Sequence, residues 1–116
     1  VLVVEDEYMI ADDLASELRG AGARVVGPVA SLPQAMRLLA TTGSLDVAIL
    51  DINLRETLVY PLIDQLLAAD VRVLITSGYD EAIIPDSYRA LPRCEKPVST
   101  ERLREAAERL CAATAV

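Results

Sequence analysis

Apolar positions along the chain alternate between two rhythms. Short, nearly unbroken apolar runs occur at Val1–Val4, at Asp46–Leu50 ("DVAIL") and at Val71–Thr76. Between them lie longer stretches in which apolar residues recur every three or four positions. The first rhythm predicts strands and the second predicts helices. Ile10, Ala11, Leu14 and Leu18 predict a helix from Tyr8 to about Gly20, stopped by Gly20 and Gly22. Ala23–Val26 predicts a second strand, closed by Gly27-Pro28. Ser31 can cap a helix that holds Ala35, Met36 and Leu39, with Pro33 tolerated in its first turn. A third helix is expected from Leu58 to about Ala69, with Leu62, Ile63, Leu66 and Leu67 on one face. Leu91–Glu95 predicts a short fifth strand. Ser99 opens a last helix, with Glu101 in its first turn and Leu103, Ala106, Ala107, Leu110 and Cys111 facing inward.

The first, third and fourth strands are nearly all apolar. Strands covered on both faces read this way, and they belong to a parallel sheet with helices on each side. Right-handed crossovers leave few topologies. The doubly wound α/β order 2-1-3-4-5 is the natural one for (βα)5, and it puts the ligand crevice beyond the carboxyl ends of strands 1 and 3. A length of 116 residues suits one domain, 1–116, and no repeat or linker interrupts it.

Composition narrows the function. The net charge is −7, with 18 acidic against 11 basic residues, which argues against a nucleic-acid or anionic-membrane surface. No apolar run reaches a membrane span of about 18 residues. No signal peptide is visible, and a start without Met reads as trimmed. Cys94 and Cys111 form no CxxC and read as reduced packing thiols of a cytoplasmic protein. There is no His, so no imidazole chemistry can come from this chain, and the lack of Trp and Phe argues against a stacking platform for single strands. Lys96 is the only lysine beside ten arginines, as if a compact ammonium were needed there.

The predicted strand ends carry the chemistry. Glu5, Asp6 and Glu7 follow the first strand; Asp51, Ile52 and Asn53 follow the third; Thr76, Ser77 and Gly78 follow the fourth; Lys96 and Pro97 follow the fifth. Each alone has an ordinary explanation, since acids near a helix start complement its dipole and hydroxyls are common in turns. Together they place acid, acid, hydroxyl and cation on one rim. Two carboxylates about 4 Å apart repel by roughly 4 kcal/mol at an effective dielectric near 20. Glu5, Asp6 and Asp51 therefore call for a proton, a cation or both. Lys96 supplies one cation, and Mg2+ (or Mn2+) suits the oxygen donors. A carboxylate beside a divalent ion and an ammonium is placed to accept a phosphoryl group.

These residues resemble the receiver domain of bacterial two-component response regulators over essentially the full chain. "VLVVEDE" is similar to the acidic first-strand motif, "AILDINL" to the phosphoacceptor strand, "ITSG" to the switch-hydroxyl strand and "CEKPV" to the Lys-Pro ending. The resemblance implies a flavodoxin-like three-layer sandwich. It implies Asp51 as phosphoacceptor, Asp6 and Asp51 as direct Mg2+ ligands, Glu5 as a ligand through water, and Asn53 as a ligand through its backbone carbonyl. Lys96 would pair with Asp51 and then with the phosphoryl group, and Pro97 stands at the family's cis-proline position. Ser77, with Thr76 as the alternative, would be the switch hydroxyl, and Gly78 would offer room and a backbone N–H to the phosphoryl group. Asn53 and Tyr79 would flank the attacking water. The implied partner is a sensor histidine kinase or a histidine phosphotransfer protein, and the implied catalysis is limited to the domain's own phosphorylation and dephosphorylation.

Three features depart from the family pattern. "INLRETLVYP" lacks a Met-Pro-Gly turn after Asp51; Arg93 stands where many receivers carry a switch aromatic; and Ser77 to Lys96 spans only 19 residues. Pro85 and the isoleucines before it disfavour helix. "SGYD" followed by a proline and "EKPV" resembles the atypical FAT GUY receivers, which tend to work with HWE-type histidine kinases. Helix 4 is accordingly expected to be short or missing, with no regular helix over Tyr79–Pro85 and at most a turn or short helix over Asp86–Ala90. Tyr79 is a candidate to take over the switch aromatic's task. Two rival readings are a pseudo-receiver, which keeps the fold without phosphorylation, and a haloacid-dehalogenase-like phosphatase. The latter places its nucleophile before the acidic pair and wants an acid where Asn53 stands.

Overall fold

The computed structural model describes residues 1–54, 57–78 and 84–113. Five parallel strands form the central sheet: β1 (Leu2–Val4), β2 (Val26–Val29), β3 (Val47–Asp51), β6 (Arg72–Ser77) and β7 (Arg93–Glu95). Their spatial order is β2-β1-β3-β6-β7, the doubly wound order expected from the apolar pattern. A separate two-residue hairpin, β4 (Asn53–Leu54) with β5 (Thr57–Leu58), follows β3. The helices are α1 (Tyr8–Gly20), α2 (Leu32–Thr41), α3 (Tyr60–Ala68) and α4 (Thr100–Ala113).

Alternation along the strands divides the core in two. Val3, Val47, Ile49 and Leu74 face Leu14 and Leu18 of α1 and Leu103, Ala106 and Ala107 of α4. Leu2, Val4, Ala48, Leu50, Val73 and Ile75 face Ala35 of α2 and Leu62, Ile63 and Leu66 of α3. Leu62, Ile63 and Leu66 are fully buried, and each side chain of that kind contributes roughly 1.5–3 kcal/mol by leaving water. Among the described residues, no helix is long and apolar enough to cross a membrane.

Helix boundaries follow local chemistry. The Ser31 hydroxyl accepts from Gln34 N at 3.3 Å, and the Ser99 hydroxyl accepts from Arg102 N at 3.1 Å, so both predicted caps form. α1 ends in a Schellman turn, with Ala23 N donating to Leu18 O and Gly22 N to Arg19 O, and with Gly22 at φ +91°. α3 ends the same way, with Val71 N on Leu66 O and Asp70 N on Leu67 O, but there Asp70 takes the left-handed position at φ 61°.

Two expectations need correction. β2 does not stop at Gly27-Pro28 but runs through it, starting at Val26. It is an edge strand, where a proline without an N–H is tolerated. Leu2 pairs with Val26 and Val4 with Val29, so β2 carries one extra residue as a bulge. Gly27 has φ +93°, and a Cβ there would meet Val3 O and Val29 N at 3.0 Å each. The third helix starts at Tyr60, not at Leu58, which belongs to β5. Pro61 sits in the helix's first turn, its favoured place.

Between β6 and β7 the described residues hold one 3-10 turn, Asp86–Tyr88, within the stretch expected to be a turn or short helix. Ile84 and Pro85 are not helical; Tyr79 to Ile83, on which the rest of that expectation falls, lie outside the described residues. Ile84 is buried in the α2–α3 side of the core. Tyr88 stacks on Tyr60 with ring centroids 4.6 Å apart, and its hydroxyl donates to Asp64 Oδ1 at 2.8 Å. The 3-10 turn before β7 is thus fastened to the first turns of α3.

Candidate functional site

The carboxyl ends of β1, β3, β6 and β7 meet on one rim because the four strands are in register. Leu50 pairs with Val4 and with Ile75, Asp51 with Thr76, and Ser77 with Glu95. Two backbone bonds lock the rim: Ile52 N donates to Thr76 O at 3.0 Å, and Lys96 N donates to Ser77 O at 2.7 Å. The Lys96–Pro97 peptide is cis.

Lys96 lies at the centre of the charges. Its Nζ is 2.8 Å from Asp51 Oδ2, 3.1 Å from Glu5 Oε1 and 3.5 Å from Glu7 Oε1. Asp51 and Glu5 are both buried. Oxygens of Glu5, Asp6 and Asp51 all lie within 4.8 Å of one another. When all are ionised, these three carboxylates and one ammonium leave two negative charges, which a hard divalent ion would neutralise. Burial first, and then the hydrogen bond and charge of Asp51, push Glu5 up to about 7, against the weaker pull of Lys96. Burial alone would lower the Lys96 ammonium's pKa. The hydrogen bond and charge of Asp51, followed by those of Glu5, outweigh it and hold the group above its ordinary value.

Of the residues singled out in the sequence, all but Tyr79 fall among the described residues. Asp6 is half-buried beside Glu5 and Asp51. Asn53 opens the β4–β5 hairpin two positions after Asp51. Both candidate hydroxyl residues are buried at the end of β6. Thr76 is the register partner of Asp51, and its Oγ1 donates to Leu50 O at 3.4 Å. Ser77 is the last strand residue, followed by exposed Gly78. Tyr79 lies outside the described residues. A cleft of about 270 Å³ opens beside Lys96, between Ile10 of α1 and Leu103 of α4, with Glu7, Thr76 and Gly78 on its wall.

One contact was not foreseen. Glu7, the residue before α1, reaches Lys96 across 89 positions of sequence. Its proximity to the acidic pair was visible in "EDE", but its direction was not.

No family model and no curated protein matches the chain. Solved structures do. SdrG from Sphingomonas melonis Fr1 superposes with a TM-score of 0.79 at 28% identity, over 96% of this chain and 93% of that one. The response regulator REC domain of Erythrobacter litoralis PhyR gives 0.78 at 24%, over 94% and 86%. A response regulator receiver protein from Sinorhizobium medicae WSM419 gives 0.76 at 22%, over 97% and 93%. The chain has the receiver-domain fold. SdrG has also been solved in a BeF3-activated conformation, similar to this chain at 29% identity with a TM-score of 0.75, over 95% of this chain and 93% of that one.

Proposed function

We propose that this receiver fold is a phosphoacceptor of a two-component phosphorelay, taking a phosphoryl group on Asp51 from a phosphohistidine. The observation that carries the reading is the Lys96 ammonium 2.8 Å from a buried Asp51 whose oxygens cluster with those of Glu5 and Asp6. The receiver neighbours support it, as does the BeF3-activated form of SdrG, because BeF3 on a carboxylate imitates a phosphoryl group.

In this reading Asp51 is the nucleophile. Lys96 holds its carboxylate oriented and afterwards pairs with a phosphoryl oxygen. Three clustered carboxylates fit Mg2+ or Mn2+: Asp6 and Asp51 would hold the ion directly, Asn53 through its carbonyl and Glu5 through water. The bound ion would supply charge neutralisation on the phosphoryl oxygens. Ser77 is the hydroxyl assigned to read the phosphoryl group, with Gly78 N–H beside it; Thr76 is the alternative. The proposed donor is a sensor histidine kinase or histidine phosphotransfer protein in the cytoplasm. The narrower assignment, a FAT GUY receiver served by an HWE-type kinase, rests on the "SGYD" and "EKPV" resemblance. The domain catalyses only its own phosphorylation and dephosphorylation.

Intact-mass spectrometry after incubation with acetyl phosphate and Mg2+ tests this. One phosphoryl adduct is expected, absent in Asp51→Asn and lost on chelation of the metal before reaction. No adduct in the unmodified protein, where a control receiver reacts, would favour the pseudo-receiver. Ser77→Ala and Thr76→Val, made separately, assign the hydroxyl by which one changes the adduct's lifetime.

A further inference from the structure

Glu7 occupies the N-cap of α1, yet its side chain makes no capping hydrogen bond. Glutamate is not among the favoured residues at that position. Its backbone N–H donates to Glu5 Oε2 at 3.3 Å, and its carboxylate turns to Lys96 Nζ at 3.5 Å. The side chain is 59% exposed, while Asp51 beneath it is buried. Glu7 also lines the cleft beside Lys96. It is therefore a fourth carboxylate on a site with one ammonium, and it stands at the solvent side.

We propose that Glu7 is a specificity-determining residue, a fixed negative charge that slows strongly anionic small donors at the entrance to Asp51. This deepens the phosphoacceptor reading and rests on it. The step concerned forms an Asp51 Oδ–P bond while the donor's P–O or P–N bond breaks. The electron pair leaves with acetate from acetyl phosphate, or with ammonia from phosphoramidate, whose nitrogen is already protonated at neutral pH. Acetyl phosphate carries more negative charge than phosphoramidate at neutral pH, so Glu7 opposes it more strongly.

The test compares phosphorylation rates of the unmodified protein and Glu7→Gln, with Mg2+, for both donors at low and high salt. With acetyl phosphate at low salt, Glu7→Gln is expected to react about three- to tenfold faster, the scale of one charge roughly 6 Å from a dianion with salt screening. The gain should be smaller with phosphoramidate and should shrink at high salt. Glu7→Lys should exceed Glu7→Gln in the same direction. An unchanged or slower acetyl phosphate rate, or equal gains for both donors at both salts, would overturn the proposal while leaving the phosphoacceptor reading intact. No adduct with either donor in the unmodified protein would overturn both.

Discussion

Glu5 holds its proton well above the ordinary carboxylate range. Its carboxyl titrates near 7 in the folded chain against an ordinary value of 4.5, because it is buried beside Asp51. The folded state thus binds this proton more tightly than the unfolded state does. Its contribution to stability is greatest below 4.5 and is lost as pH rises from 4.5 to about 7. Glu5→Gln is expected to flatten that dependence by on the order of 1–2 kcal/mol. Urea unfolding at pH 5 and pH 7.5 without divalent ions measures it, and an unchanged slope would count against Glu5 as the titrating group. At this scale the sequence was most legible where residue type and position coincided. Asp51 ends an apolar strand and Lys96 is the only lysine, so both could be singled out before any geometry. The turn of Glu7 toward Lys96 was not legible, because it depends on how two distant strand ends are juxtaposed.

The elements were legible in proportion to their periodicity. β1, β3 and β6 are nearly unbroken apolar runs, and α1 keeps its three-and-four spacing from end to end. β2 was misplaced because Gly27-Pro28 has the composition of a turn, and only its position at the sheet edge lets the strand pass through it. The β4–β5 hairpin has two-residue strands, too short to carry any period. The stack of Tyr60 on Tyr88 was not legible, since nothing local in the sequence marks the two rings as partners. The α3 terminus supports its own prediction. Asp70 at φ 61° occupies a conformation that costs an L side chain about 1 kcal/mol and glycine nothing. The greater freedom glycine gives the unfolded chain offsets about 0.4–1 kcal/mol of that, so Asp70→Gly is expected to stabilise the protein by no more than roughly 0.5 kcal/mol. Thermal unfolding at neutral pH checks the sign.

For the molecule as a whole, the doubly wound order was predictable because apolar strands and right-handed crossovers leave little else. That order places the carboxyl ends of β1, β3, β6 and β7 on one side. A divalent ion bound there binds only the folded state, because the donors come from β1 and β3, far apart in sequence. Mg2+ at a hundred times its Kd is expected to add about 2.7 kcal/mol of stability by mass action. The gain should be largely lost in Asp6→Asn and should weaken as the pH falls below about 7, where Glu5 takes up its proton. Melting curves with and without Mg2+ at pH 6 and pH 8 measure both effects.

The clasp of three carboxylates around Lys96 also makes a chemical clock of the fold. An amine must shed its proton before it can attack an acylating reagent, and the contacts that hold Lys96 charged keep it a poor nucleophile. Each opening of the rim would release it to the reactivity of an ordinary lysine. Because no other lysine shares the chain, the acylation rate of the peptide containing residue 96 would time how often the four strand ends part. It would do so without a probe or substitution anywhere in the site.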